Sequence, residues 1–419
     1  MLKKIIIRIM SITVACLLLT LPVANTALAA PTTVVFTVNS TLDLPDDLTI
    51  PGVCHTAANT CTLRAAIMQA NRPTGERTII DIPPGIYKLT IPAVGTGGEQ
   101  NGDLDLTTPV SGSPLTIIRG DSADTTIIDA DQRDRVFHVH PGRDVDISLL
   151  TIRNGYLVDA FEDGGGIQNE GHLVVSRTSI TNNNVSASFN FGGGIHNSGS
   201  LEVRNSTIFG NGAYNGGGIY TFGAEMFVVN STISQNYANN DGGGIYKYGT
   251  TGMAALYNTT IFDNDADHDR DENGGIGGGI FNAAGSRFLV VNTLIAGNTV
   301  FNAPIYNDCS GMLEAYGFNL IFDETGCTFS GNGTASRGFV SLDTIGPLRN
   351  NGGPTWTHAL LAGSAAIDTT LDSLGCVDRD GLSLYYDQRD VRRPAGARCD
   401  VGAFEYYPPI YVYLPAIQR

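Results

Sequence analysis

From Ile152 to Ile321 the chain breaks into short runs in which apolar and polar residues alternate, such as Leu201-Glu202-Val203-Arg204, or in which apolar residues cluster, such as Met226-Phe227-Val228-Val229. Glycine and asparagine separate the runs. Alternation of period two gives a strand with one face inward, and no run here keeps the 3.6-residue period of a helix. The pattern also repeats. Gly-Gly-Gly-Ile begins at Gly164, Gly192, Gly216, Gly242 and Gly277, and a Thr-Ile-like pair ends at Ile152, Ile180, Ile208, Ile233, Ile261 and Ile295. From the second pair onward an asparagine follows three residues later, at Asn183, Asn211, Asn236, Asn264 and Asn298. Another asparagine precedes the isoleucine by three at Asn205, Asn230, Asn258 and Asn292.

A repeat of roughly 26 residues with two or three short strands cannot bury its own apolar face and must stack on its neighbours. The economical arrangement is one coil per repeat, bonded to the next at about 4.8 Å so that equivalent side chains align. The expected fold is therefore all-β: a right-handed, single-stranded parallel β-helix with the isoleucines stacked inside and Asn183, Asn211, Asn236, Asn264 and Asn298 forming a structural ladder at turns. The glycine triplets mark positive φ or close backbone approach. As a phosphate loop they fail, since no Lys-Ser/Thr follows and no helix begins there. Strand-like runs at Ile79 to Leu89, Leu115 to Ile118, Thr126 to Asp129, Val136 to Val139 and Val145 to Ile152 extend the predicted solenoid to residues 78–321.

The ends of an open β-helix expose unpaired strand edges, and the sequence offers a cover at each. Residues 1–29 are set aside first. Lys3, Lys4 and Arg8 precede an apolar stretch from Ile12 to Val23, with Ala27-Leu28-Ala29 beyond it, the layout of a signal peptide. In the next segment, 30–77, Thr62 can cap a short helix that sets Leu63, Ala66, Ile67 and Ala70 on one face, ready to plug the first coil. The stretch from Val38 through Asp46, Asp47, Gly52 and Cys54 to Cys61-Thr62-Leu63-Arg64-Ala65-Ala66-Ile67-Met68-Gln69-Ala70-Asn71 resembles the CSLREA-type N-terminal domain of bacterial surface β-helix proteins. It departs from that hexapeptide at Thr62 and Ala65. Residues 322–405, with Gly346 to Leu361, Ala366-Ile367-Asp368, Asp387-Gln388-Arg389, Arg393-Pro394 and Cys399 to Glu405, resemble the choice-of-anchor Q module found with such helices. The glycine repeats are similar to those of polymorphic outer-membrane proteins and autotransporter-like adhesins. What these resemblances imply is architecture and export, not a reaction. The tail, 406–419, carries neither a sortase motif nor a terminal hydrophobic span. Its apolar run could dock on the last coil or be read by an export system.

The net charge is −16, with Lys plus Arg 25 against Asp plus Glu 41, and loss of the leader removes three further cations. Such a chain repels nucleic acid and anionic lipid. No segment beyond the leader is long and apolar enough to span a bilayer. Of seven cysteines one falls in the leader, and the others form close pairs, Cys54 with Cys61, Cys309 with Cys327 and Cys376 with Cys399. In an exported chain that reads as disulfides, and metal binding by these cysteines lacks both CxxC spacing and a nearby His pair. The expected location is secreted or extracellular, with cell-surface association. The oligomeric state is left open.

No convincing catalytic site emerges. Gly-His-Gly and Arg-Ile-Lys are absent, and Lys247 is the lone lysine between Ile152 and Ile321. Asp163 and Asp241 precede Gly-Gly-Gly at equivalent positions, which suits a ladder better than a dyad. The segment Asp263, Asp265, Asp267, Asp269 and Asp271 is an acidic insertion. It is a candidate calcium loop, calcium being the one cofactor suggested, although His268 stands where an EF-hand needs glycine and no closing Glu follows. A solvated acidic loop is the alternative. Phe189, Phe191, Tyr214, Tyr220, Tyr237, Tyr246 and Tyr248 lie near the glycine turns and could stack on sugars or pack loops onto the solenoid. The leading expectation is a non-catalytic surface or matrix protein with an adhesive, structural or glycan-contacting role. The alternative is a polysaccharide lyase or glycoside hydrolase acting on acidic polysaccharide.

Overall fold

The computed structural model describes residues 33–408 apart from 73–76, 95–97, 108–114, 160–161, 187–188, 271–273, 302–306, 332–336, 339 and 371–375. The leader assigned to residues 1–29 and most of the tail lie outside the described residues.

Each full coil carries four short strands in a fixed order. Ile195–Asn197, Ser200–Arg204, Thr207–Phe209 and Gly212–Ala213 make one coil, and each pairs parallel with its counterpart in the next: Ile219–Phe222, Glu225–Val229, Thr232–Ser234 and Tyr237–Ala238. Repetition gives four parallel ladders, here numbered in that order, and the chain is a parallel β-helix. The corner between the second and third ladders is turned by Asn205, Asn230, Asn258 and Asn292, at φ 48°, 52°, 47° and 50°. Asparagine is among the few side chains that tolerate this left-handed conformation.

Two isoleucine columns fill the interior. Ile167, Ile195, Ile219, Ile245 and Ile280 stack along the first ladder, and Ile152, Ile180, Ile208, Ile233, Ile261, Ile295 and Ile321 along the third. All are buried, each side chain contributing on the order of 1.5–3 kcal/mol. Beside them runs an amide ladder. Asn236 Oδ1 accepts from the backbone N–H and the Nδ2 of Asn211, at 3.1 and 2.9 Å, while its own Nδ2 donates to Asn264 Oδ1 at 2.9 Å and to the Ile208 carbonyl at 3.0 Å. The same bonds link Asn183 to Asn211 and Asn264 to Asn298. The glycine triplets make this possible. Their first residue holds φ between 65° and 72°. A Cβ on the third, as at Gly218, would lie 2.6 Å from the carbonyl of the next coil and 3.1 Å from the Asn236 amide.

After the last glycine triplet the amide ladder ends on a carboxylate. Ile280 pairs with Cys309, so Asp308 stands where earlier coils have the third glycine. Its Oδ1 accepts from the backbone and side chain of Asn298 at 2.9 and 2.8 Å, and its Oδ2 from the Asp323 N–H at 2.8 Å. Burial pushes the Asp308 carboxyl up to about 7 against these bonds.

The parallel pairing is longer than residues 78–321. It begins with Thr33–Thr37 against Arg77–Asp81 and continues through Cys327–Ser330 and Arg337–Gly338, in coils that lack the glycine triplet. The helix Leu63–Ala70 is capped by the Thr62 hydroxyl accepting from the Ala65 N–H at 3.1 Å, and it is buried on every side. Leu63, Ala66, Ile67 and Ala70 join the solenoid core, closing its N-terminal end. Disulfides join Cys54 to Cys61, Cys309 to Cys327 and Cys376 to Cys399.

The sequence predicts a cover over the end of the last coil; among the described residues the C-terminal segment instead makes its contacts along the flank of the third ladder. The reason is that this ladder presents threonine hydroxyls and apolar side chains outward, among them Phe209 against Trp356 and Phe262 against His358. Thr207 Oγ1 donates to the Trp356 carbonyl, Thr232 Oγ1 to Gln388 Oε1, and Thr260 Oγ1 accepts from the Ala403 N–H. Leu294, Ala296 and Leu320 pack with Ile345, Leu360, Val401 and Phe404. The segment reaches back to Arg177, whose guanidinium pairs with Asp390 at 2.7 Å.

Two outcomes follow from this packing. Asn236→Ala strands buried partners in both neighbouring coils and should lower the unfolding free energy by at least about 2 kcal/mol, read as a shift of the urea midpoint. His358, at the flank interface, contacts Ser234 Oγ at 2.8 Å and donates from Nδ1 to the Gly346 carbonyl at 2.7 Å. Burial pushes its imidazole down from 6.5 to about 4. The unfolded chain then binds the proton near pH 6.5 and the folded chain only near pH 4, so stability falls as pH falls through that window. Thermal melts at pH 7 and pH 4.5 should differ less in His358→Gln than in the unsubstituted chain.

Candidate ligand-binding face

The third ladder is covered by the C-terminal segment, whereas the outward side of the first carries two columns of side chains. In one, Asp105 pairs in register with His138, followed by Gln168, His196, Tyr220, Tyr246 and Phe281. Two residues further along the strands stand His140, Glu170, Ser198, Phe222 and Tyr248. The face thus changes from ionisable to aromatic along its length.

The ionisable half opens on a cavity of about 370 Å³ lined by Asp103, Asp105, Arg135, His138, His140 and Glu162 among others. Arg135 is its organiser. Its Nε lies 2.6 Å from Asp103 Oδ2, and its Nη1 donates to the Asp163 carbonyl at 2.6 Å and to Gln168 Oε1 at 2.9 Å. Arg64 of the capping helix donates to the carbonyls of Gly102 and Asp103, which ties the cavity wall to the end plug. Burial raises the Asp103 carboxyl to about 7 despite Arg135, with Asp105 and Asp134 adding to the rise. Asp105 behaves oppositely. Burial would raise it, but hydrogen bonds from His138 and His140 hold it well below the ordinary carboxylate range. His140 Nε2 stands 2.7 Å from Asp105 Oδ1 and is raised by that bond.

In the aromatic half, Tyr220 stacks on Phe191 at 4.6 Å and on Tyr246 at 5.1 Å, and Tyr246 on Phe281 at 4.6 Å. These rings use their faces on one another, and Tyr220 is only 7% exposed. Phe222 and Tyr248 are different. They overlap more loosely, at 5.7 Å, and remain 49% and 47% exposed beside a groove of about 380 Å³ that also takes in Thr250 and Thr251. Phe189, 66% exposed, leans on Tyr214 at 5.0 Å, and Tyr237 donates no platform, its hydroxyl accepting from Asn184 Nδ2 at 2.9 Å.

The other residues singled out in the sequence lie elsewhere in the coils. Asp163 and Asp241 are separated by three coils' worth of glycine turns. Asp163 Oδ1 accepts from the Phe191 N–H at 2.7 Å and Asp241 Oδ1 from the Ile276 N–H at 3.0 Å, each bonding to the following coils. Lys247 points inward and donates to the carbonyls of Ala224 and Thr251. In the acidic insertion Asp265 accepts from Thr299 and meets His268 at 3.0 Å, Asp263 accepts from Gln235, Asp267 is buried, Asp269 is exposed and Asp271 lies outside the described residues. Among the described residues, ligand atoms of three or more His, Cys, Asp or Glu side chains converge at Asp105, His138 and His140. The sequence reading did not single these out. The available signal was the alternation Phe137-His138-Val139-His140 and Leu104-Asp105-Leu106, which sends every ionisable residue to the same side.

No protein-family model matches the chain, and no curated protein matches it. Among solved structures it is similar to pectate lyase Pel9A, at 12% identity over 90% of this chain and 97% of that one, with a TM-score of 0.45. It is also similar to a pectin methylesterase in complex with hexasaccharide VII, at 12% identity over 69% and 92%, with a TM-score of 0.31. Neither likeness bears on what this chain binds.

The cavity makes one stability prediction. Arg135→Ala leaves Asp103 buried without its cation and should cost about 3 kcal/mol, and adding Asp103→Asn should recover most of that loss in denaturant titrations.

Proposed function

We propose that the chain is an exported β-helix protein that holds an extended glycan along the outward face of its first ladder. The observation that carries this reading is the half-exposed pair Phe222 and Tyr248, placed one coil apart beside an open groove. Aromatic rings offer a flat apolar surface to the C–H faces of sugars. The threonines of the groove, Thr250 and Thr251, supply hydroxyls. The net charge of −16 opposes a polyanion, so a neutral glycan is the favoured ligand. Three disulfides and the absence of a membrane-length apolar helix among the described residues are compatible with an extracellular setting. The resemblance of the two ends to CSLREA-type and choice-of-anchor Q modules supports presentation at a bacterial surface, in an adhesive or structural role.

A second reading, a lyase or hydrolase acting on polysaccharide, is favoured by the cavity at the other end of the face. There, burial raises Asp103 to about 7, and two histidines stand within reach of Asp105. A carboxyl poised near neutral pH can pass a proton either way.

The purified chain is titrated with neutral and acidic polysaccharides, with and without Ca²⁺, while binding and the release of reducing or unsaturated ends are followed. Neutral-glycan binding that weakens about threefold to tenfold in Phe222→Ala and in Tyr248→Ala supports the first reading. Binding that ignores both substitutions, or none at all, removes it, and released ends would establish the second.

A further inference from the structure

We propose that Asp105, His138 and His140 form a binding site for a borderline divalent metal ion of the Zn²⁺ class. The site is built by the coil geometry. Asp105 and His138 occupy the same register position on adjacent strands, and His140 follows two residues later on the same side. Their ligand atoms converge: Asp105 Oδ1 is 2.7 Å from His140 Nε2 and 3.5 Å from His138 Nδ1, and all three lie within 4.8 Å of one another. Ligands about 2.0–2.2 Å from one ion stand roughly 3.0–3.5 Å apart, so a small adjustment admits the ion.

A second observation points the same way. The far nitrogen of His138, Nε2, lies 3.1 Å from Glu170 Oε2. A carboxylate holding the outer N–H of an imidazole fixes its tautomer and turns the inner nitrogen toward a metal. The strand that supplies Glu170 is the next coil's, so the support is part of the same stack. One carboxylate and two imidazoles suit Zn²⁺ and its neighbours in preference to Ca²⁺ or Mg²⁺, which take oxygen. Three protein ligands leave positions open, and these face the 370 Å³ cavity, where water or a hydroxyl or carboxylate oxygen of a ligand would complete the coordination. This assignment stands without the glycan reading.

The test uses the full purified chain, stripped with chelator and titrated with Zn²⁺ by calorimetry and with Co²⁺ by visible absorption. One equivalent of Zn²⁺ is expected, undisturbed by millimolar Ca²⁺, and Co²⁺ should give the bands of a nitrogen-containing site of low coordination number. His138→Ala and His140→Ala should abolish the binding, Glu170→Gln should weaken it about tenfold, and His268→Ala, at the acidic insertion, should leave it unchanged. Should an alanine variant fail to fold, protection of His138 and His140 from diethylpyrocarbonate by Zn²⁺ in the unsubstituted chain decides the matter. Absence of binding, a Co²⁺ spectrum like that of the hydrated ion, or binding that survives loss of both histidines overturns the proposal.

Discussion

The close approach of asparagine amides to glycine backbone is the contact on which the other features of this solenoid rest. Each amide in the ladder bonds to the coils before and after it, and it fits because the third glycine of the facing triplet has no Cβ. Backbone pairing alone would allow strands to slip by a residue, exchanging inward and outward sets. The amides oppose that slip, since a displaced asparagine would lose four buried bonds at once. With register held, the ladders of these coils present columns of side chains rather than scattered ones, and Tyr220 can lie on Tyr246.

Fixed register also divides labour among the ladders. The second and third ladders share a corner held by the left-handed asparagines, two of whose side chains bond to the C-terminal segment: Asn230 Nδ2 donates to the Tyr386 carbonyl and Asn258 Nδ2 to that of Val377. That flank is spent on internal contacts, with Gln388 buried among Ser206, Thr207 and Thr355. The first ladder instead keeps Phe222 and Tyr248 about half-exposed on its outward side. Its ionisable end lies beside the capping helix, through Arg64, and its aromatic end lies nearer the middle of the stack.

Much of the architecture was legible because repetition writes the same physical demand many times. Five triplets and five asparagines announce one coil each, and the short helix is announced by Thr62 and the apolar spacing after it. The C-terminal segment's position was not legible, because docking on a flank depends on outward Thr207, Thr232 and Thr260, which in sequence look like ordinary strand residues. Nor was the inner polar column of Asn169, Asn197, Thr221 and Lys247, whose members sit at a corner and pass from amide to hydroxyl to ammonium along the stack. The ionisable cluster stayed hidden for a different reason. Asp105 and His138 are far apart in sequence, in coils without glycine triplets to align them, and their neighbourhood appears only when register is counted on the folded chain. The tyrosines were visible, but whether a ring packs on its neighbour or faces solvent is decided by its place on the strand, as the contrast between Tyr220 and Phe222 shows.

Asp308 gives the stack a direction. Every asparagine in the ladder passes a hydrogen bond onward, giving one amide proton and taking others, so the chain of bonds could in principle run into a further coil or into the end of a second molecule. A carboxylate already taking three protons has none to hand on while it is ionised. The amide ladder therefore stops inside the stack, and the strands beyond it, Cys327–Ser330 and Arg337–Gly338, are joined by backbone pairing and the Cys309–Cys327 disulfide instead.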